Sequence, residues 1–307
     1  MLRSQPDRRR GGTALSVTLG VLALTAIASP IVLHVLQRRH NVLPFDLAVA
    51  YPPDKPTVPG DILAGTLIAL VEHELNSPAG WRPNDFPLWG PRVLADNNAN
   101  RQLGILQVVR ETVRVMKDHL TKVSSDEFDK HLVDADTAFR NDPSRWLLPA
   151  AETRLRDGVM NLRLYVEGLH TEPPHSKRIN GRNVELMRLF QAWMDQLGSA
   201  HGTLYRDPVS FTTSDDDFYY AQGMGYALGH LMPAVWREYQ PELQARPVMS
   251  SLFDEVTAAL ARAGVMKPFI VMSGGEESIF ANHRRNLDAF LNEARQKMYS
   301  IREELDK

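Results

Sequence analysis

Hydrophobic positions follow two regimes along the chain. Over 14–36 they are continuous: ALSVTLGVLALTAIASPIVLHVL contains no charged side chain. As a helix this run reaches about 34 Å, enough to cross the hydrocarbon core of a bilayer. From Asp61 onward, apolar residues recur every three or four positions between proline and glycine turns, which predicts amphipathic helices. The first starts at Asp61, its expected cap, carries Leu63, Leu67, Leu70, Val71 and Leu75, and ends near Asn76-Ser77-Pro78. The next runs from Leu103 to Leu120, and a third follows a cap at Ser125 and stops before Asn141-Asp142-Pro143. Pro143 suits the first turn of a fourth helix, bent at Pro149 and ending near Gly168. A fifth spans 182–197, stopped by Gly198.

The segment led by Ser214 and three aspartates is distinct, because FYYAQGMGYALGHLMPAVW, between Asp217 and Arg237, has no charge. Ala221, Gly225 and Gly229 recur every fourth residue and let another helix approach closely. Gln222, His230 and the glycines argue for a central buried helix over a second membrane span. A capping-box-like Ser251-x-x-Asp254 opens a helix to Ala263 closed by Gly264, and the last helix covers 276–304, with Ile279, Leu287, Phe290, Leu291 and Met298 as its buried stripe. Phe269-Ile270-Val271-Met272 is the one short run that reads as extended. The expected class is all-α: a multi-helix globular bundle with an N-terminal single-pass transmembrane helix.

Ala26-Ile27-Ala28 has the form of a signal-peptide cleavage site, which is the competing reading of the apolar run. The run continues beyond it through Ile31, Val32, Leu33, Val35 and Leu36, which favours an uncleaved anchor. Arg3, Arg8, Arg9 and Arg10 precede the span and Arg38 and Arg39 follow it. The side richer in arginine stays in the cytoplasm, so the bulk of the chain is expected in the periplasm of a bacterium, anchored in the inner membrane. The expected organisation is a cytoplasmic basic head (1–13), an anchor (14–36), a proline-rich linker (37–60) and a periplasmic helical domain (61–307). Membrane lipid is thus one expected partner, through the anchor.

The whole chain carries 35 basic and 37 acidic side chains and no cysteine. Six arginines and Asp7 lie in the first forty residues, which leaves 29 basic and 36 acidic, or −7, for the remainder. Nucleic-acid affinity rests on neutralising phosphates, so an acidic domain argues against that partner. The lack of thiols fits an oxidising compartment and excludes a cysteine nucleophile.

Between the first two predicted helices lies a loop rich in proline and tryptophan, 76–100. Loops of that length inside a domain are often functional. Trp81, Arg82, Trp89 and Arg92 are residue types enriched in binding hot spots, so this loop is the expected contact surface, with both tryptophans filling the core under the loop as the equally weighted alternative. The partner class is an envelope protein or peptidoglycan.

Candidate chemistry is sparse. Glu72-His73-Glu74 lacks the second histidine of a zinc-protease helix, because Ser77 stands four residues after His73; a solvated helix end is the simpler reading. Asp96-Asn97-Asn98-Ala99-Asn100 opens like a calcium loop, but Arg101 replaces the required glycine and Gln107 the bidentate glutamate, leaving an amide-rich turn. No metal and no cofactor is expected. Glu74 with Gly104-Ile105-Leu106-Gln107 is similar to the catalytic glutamate and Gly-x-x-Gln motif of lysozyme-like lytic transglycosylases, and Tyr219-Tyr220-Ala221-Gln222-Gly223 faintly resembles their tyrosine motif. That resemblance implies Glu74 as general acid and Gln107 as a sugar-orienting residue, the alternative function. Leu75 stands where those enzymes have serine, and the motif spacings are long.

The anchor together with EHELNSPAGWRPND, DFYYAQGMGYALGHL and PFIVMSGGEESIFANHRRNLDAFL resembles an uncharacterised proteobacterial membrane-anchored family, domain of unknown function 2333. The resemblance implies a Gram-negative inner membrane and an envelope role, and it brings no activity, cofactor or catalytic residue. The expected function is binding or scaffolding.

Overall fold

The structure, a computed structural model, describes residues 8–42, 46–52, 54, 56–85, 92–122, 127–206, 211–268, 270–274 and 281–307; within helices the side chains of 8–15, 26, 27, 30, 92–95 and 211–213 lie outside the description. The chain forms α1 (Arg8–His40), α2 (Leu47–Ala50), α3 (Asp61–Leu75), α4 (Arg92–Val115) continuing into a π-turn (Met116–Leu120), and α5 (Lys130–Phe139). Then follow α6 (Ala151–Leu169), α7 (Asn183–Tyr205), α8 (Phe211–Glu238), α9 (Gln240–Leu243), α10 (Pro247–Gly264) and α11 (His283–Asp306). Among the described residues no strand forms, and one isolated bridge joins Ser273 to Asn282.

α8, whose stretch 218–236 is free of charge, is the axis of the bundle, and α3, α4, α7, α10 and α11 all pack on it. Phe218, Ala221, Met224, Ala227, Leu228, Leu231, Met232 and Val235 are all buried. A helix apolar on every face has to be surrounded in this way. Glycines set how close its neighbours come. A Cβ on Gly104 of α4 would fall 2.0 Å from the Tyr220 carbonyl oxygen, and one on Gly223 of α8 would fall 2.1 Å from that of Arg101. The two helices therefore touch backbone to backbone. A Cβ on Gly225 would fall 3.0 Å from both Ala263 Cβ and Leu291 Cδ2, which is the close approach anticipated from the small-residue spacing.

Two buried side chains tie helix ends to the bundle. The Glu238 carboxylate, at the end of α8, accepts from the backbone N–H groups of Gly60 (2.8 Å) and Leu63 (2.9 Å) and so caps α3. A helix N-terminus leaves such donors unpaired and attracts negative charge. Burial still pushes the Glu238 carboxyl up to about 7. At a C-terminus the polarity reverses: Arg284, 1% exposed, donates to the carbonyls of Thr203, Leu204 and Arg206 at the end of α7 and to Asp217.

Several boundaries depart from the sequence reading. The cap of α3 is Gly60 (φ 114°), with Asp61 inside the helix and accepting from Val58 N–H. The loop after α3 is shorter than expected because α4 already begins at Arg92; Asn98 and Asn100, poor helix formers, find partners in Asn41 and Asp216. Ser125 lies outside the described residues, and α5 is capped by Asp129, which accepts from His131 and Leu132 N–H. Pro143 and Pro149 precede α6, whose first residue is Ala151. Gly198 is carried through α7 against the Arg295 guanidinium, Ser214 lies within α8, and Ser251 lies within α10 and donates to Glu255. The last helix starts at His283, and 275–280 fall outside the description. At Gly198 the packing of α7 against α11 overrides the local stop signal.

Gly104→Ala should lower stability by about 1–3 kcal/mol or more, because backbone rather than a mobile side chain blocks the added methyl. Urea unfolding measures it; an unchanged midpoint would contradict the backbone contact of α4 with α8.

Candidate functional site

At the end of α3 three consecutive polar residues meet three environments, since neighbours on a helix point about 100° apart. Glu72 faces outward and holds Arg163 through both carboxylate oxygens at 2.8 Å. His73 is half-buried. Glu74 continues the face of Leu67, Leu70 and Val71 into the core and is 1% exposed. The solvated helix end read from sequence is therefore corrected for Glu74: its spacing from the leucines takes it inside.

Its partner is Arg101, which interrupts the apolar face of α4 in register with Ile105 and Val108 and is also 1% exposed. Arg101 Nη1 donates to Glu74 Oε1 at 2.7 Å, and Nη2 donates to the Asn41 carbonyl at 2.9 Å. The guanidinium lies 4.4 Å from the centre of the Tyr226 ring of α8. Asn41 directly follows α1, so Arg101 satisfies a carbonyl at that helix's C-terminus, where a cation is favoured.

The root of α1 is held by more than this. His40 stacks on His73, ring centres 3.9 Å apart, and its Nε2 lies 2.9 Å from the His73 carbonyl oxygen. Gln37, 3% exposed, accepts from Ala79 N–H (3.0 Å) and donates to the Asn41 side chain (2.7 Å), which in turn donates to Asn98 (2.9 Å). His230 packs edge-on against Tyr226 at 4.7 Å. Burial pushes both His73 and His230 down to about 4, so neither is charged near neutral pH, and it raises the Tyr226 hydroxyl to about 12. The centre is thus one ion pair inside a shell of neutral aromatic and amide groups.

The anticipated contact residues are placed differently. Trp81 is 5% exposed and donates from Nε1 to the Pro143 carbonyl at 2.9 Å, so it fills the core under its loop. Arg82 pairs with Asp85 at 2.6 Å, and its backbone N–H bonds Gln102, which also donates to the Gly80 carbonyl. Trp89 and the Arg92 side chain lie outside the described residues. Gln107 is half-buried on α4, about 9 Å of helix rise beyond Arg101, and among the described residues no hydrogen bond joins it to Glu74. Gly104 of the same motif serves the contact with α8.

The amide-rich turn expected at 96–100 is part of α4, so its oxygens do not wrap a cation. Asn100 donates to Asp216 at 2.6 Å, and burial together with Asp96 raises the Asp216 carboxyl to about 6. Among the described residues no group of three histidines or carboxylates is arranged for a metal. Sequence reasoning passed over Arg101, His40, Asn41 and Tyr226 as site residues. The available signal was opposite charges, Glu74 and Arg101, each set within an apolar helical stripe.

What these features define is an all-helical bundle that grips the foot of its own N-terminal helix through a buried ion pair. The family model described as an uncharacterized protein conserved in bacteria, domain of unknown function 2333, matches residues 13–207, and the chain belongs to that family. The match takes in the apolar run, α3, Glu74 and Arg101, whereas DFYYAQGMGYALGHL and the C-terminal motif lie beyond it. No curated protein and no solved structure matches the chain.

Removing one partner of a buried pair strands the other, so Arg101→Met should cost about 3–5 kcal/mol while the Glu74→Leu/Arg101→Met double variant recovers much of that loss. A double-mutant cycle by urea unfolding reads the coupling; additive single losses would contradict a direct pair.

His73 and His230, depressed from 6.5 to about 4, contribute stability that is complete above pH 6.5 and is lost as pH falls through about 4. The stability difference between wild type and His73→Gln should therefore shrink on acidification from pH 7.5 to 4.5. A difference constant across that range would place His73 in water.

Proposed function

We propose that the protein is a bacterial inner-membrane protein whose helical domain is tethered by α1 and held in the periplasm, where it binds or scaffolds an envelope protein or peptidoglycan. One observation carries the tether. α1 exposes Leu19, Val21, Leu22 and Leu24, and at 100° per residue these four point to all sides of the helix. Ile31, Val32, Val35 and Leu36 are exposed as well, while Leu33, His34 and Gln37 of the last turns face the bundle. A helix apolar all round is stable when surrounded by protein or lipid, and α1 lacks the protein. Among the described residues no helix is long and apolar enough to cross a membrane; the side chains at 14, 15, 26, 27 and 30, within the expected anchor, are outside that set. Helical backbone nevertheless runs unbroken from Arg8 to His40.

The orientation follows from the arginine excess before the span. A scaffolding role is supported by the use made of the polar centre: Glu74, Arg101, Gln37 and Asn41 join α1, α3 and α4 to one another. Glu74 opposes Arg101 inside the core, and a glycan has no approach to it, so no geometric feature favours the glycosidase alternative.

Fusing alkaline phosphatase to the carboxyl end should give periplasmic activity, and the chain should stay with membranes through an alkaline carbonate wash. A carboxyl-terminal fusion active only as a cytosolic reporter would overturn the orientation. Recovery of full-length chain in the soluble fraction would overturn the tether.

A further inference from the structure

A cleft opens where α1 meets the bundle, between its last turns, α4, α8 and the loop after α10. The cleft encloses about 400 Å³ of space between atoms, counted out to its open side. Arg38 and Lys267 line it with cationic groups, and Arg38 donates to the Lys267 carbonyl. Arg101 adds a third cation, balanced by Glu74 on its far side. Among the described lining residues there is no carboxylate; Asp215 is the acidic group felt nearby, through Tyr219.

The wall carries buried polar atoms without hydrogen-bond partners: the donors Asn98 Nδ2 and Arg101 Nε, which suit an anion, and the acceptors Asn97 Oδ1 and Gln222 Oε1, which suit a hydroxyl of the same guest. Asn98, Arg101 and Gln222 are only 8%, 1% and 2% exposed. Buried polar atoms are ordinarily paired, so an unsatisfied set converging on one cleft marks a place built for a polar guest. The position of the cleft says which guest. Arg38 lies two residues beyond Leu36, where the charge-free run ends, and thus at the depth of lipid headgroups if α1 spans the bilayer. On the opposite side Lys267 stands between Val265 and Ile270, both exposed apolar residues on a short loop. A cation flanked by exposed apolar side chains is suited to the boundary between acyl chains and phosphates.

We propose that this cleft binds the phosphate headgroup of an anionic phospholipid, with Arg38 and Lys267 holding the phosphate and Asn98 and Arg101 donating from within. The inference rests on the membrane tether proposed above. Bound there, the lipid would brace the root of α1 against the bundle, making the fit of anchor to domain sensitive to the leaflet's composition.

The test uses the full chain in a neutral detergent, titrated with phosphatidylglycerol, phosphatidylcholine or inorganic phosphate while thermal unfolding is followed. Phosphatidylglycerol should raise the midpoint saturably, at near one lipid per chain, while phosphatidylcholine and inorganic phosphate do not. Arg38→Gln/Lys267→Gln should weaken the apparent affinity at least tenfold, read as the rise in midpoint over each protein's own lipid-free value, with Lys267→Gln alone, at an exposed side chain, giving a smaller loss on the same scale. An equal response to inorganic phosphate, no response to phosphatidylglycerol, or an undiminished response in the double variant would each overturn the lipid site. Flotation with phosphatidylcholine-only vesicles separates the two claims: wild type floats if the tether is right whatever becomes of the headgroup site, and a chain left at the bottom defeats the tether itself.

Discussion

The ion pair between Glu74 and Arg101 is the contact on which the arrangement of this molecule turns. It joins α3 to α4 in the interior, and the second arm of the same guanidinium reaches the carbonyl that ends α1. Burying two charges is expensive, and apolar residues of similar volume would often serve stability as well or better. What an ion pair adds is directionality. Leucine in place of Arg101 could pack against Tyr226, but it could not single out the Asn41 carbonyl from others nearby. The foot of α1 is therefore positioned in register and not merely adhered, and Gln37, Asn41 and Asn98 extend that register by hydrogen bonds across three chain segments.

Such a centre requires close surroundings, and the glycines of α4 and α8 provide them. With Gly104 and Gly223 placing backbone on backbone, Arg101 lies close enough to α8 for its guanidinium to rest over Tyr226. The neutral imidazoles of His73 and His230 fill the remaining polar margin without adding positive charge beside Arg101. Close packing and electrostatics are one constraint here: a wider helix separation would admit water, weaken the pair and free the histidines to ionise.

The all-α class, the central helix with its small-residue stripe and the apolar faces of α3 and α11 were legible because burial repeats at helical spacing. Helix ends were read less well. Pro149 sits before α6 and not within it, Gly198 is carried through α7, and Ser251 lies inside α10, because these residues signal local preference while packing decides the outcome. The family was legible from short motifs, although its matched region stops at 207, before two of them. Trp81 read as a contact residue because tryptophan and arginine in a long loop are the residue types of binding hot spots; the Pro143 carbonyl that receives its indole N–H is 62 positions away and has no signature nearby. Arg101 was passed over for the same reason. Its partners come from α3, α8 and the end of α1, and no single window of sequence contains them.

The split between an upper α1 that exposes Val17, Leu19, Val21, Leu22 and Leu24 and a tightly bound root has a mechanical consequence. An anchor followed by a free linker would let the domain tumble at a distance set by linker length. Here the proline-rich segment is folded back: Tyr51 donates to the Asp61 carbonyl, and the Pro59 carbonyl accepts from Ile179 N–H. Its short helix α2 is capped by Asp46. The described part of the segment therefore returns the chain to α3 against the bundle, while Gln37 and Arg101 hold the root of α1. If α1 spans a bilayer as proposed, those contacts would turn one face of the domain toward the lipid and another toward the envelope, an orientation useful to a scaffold.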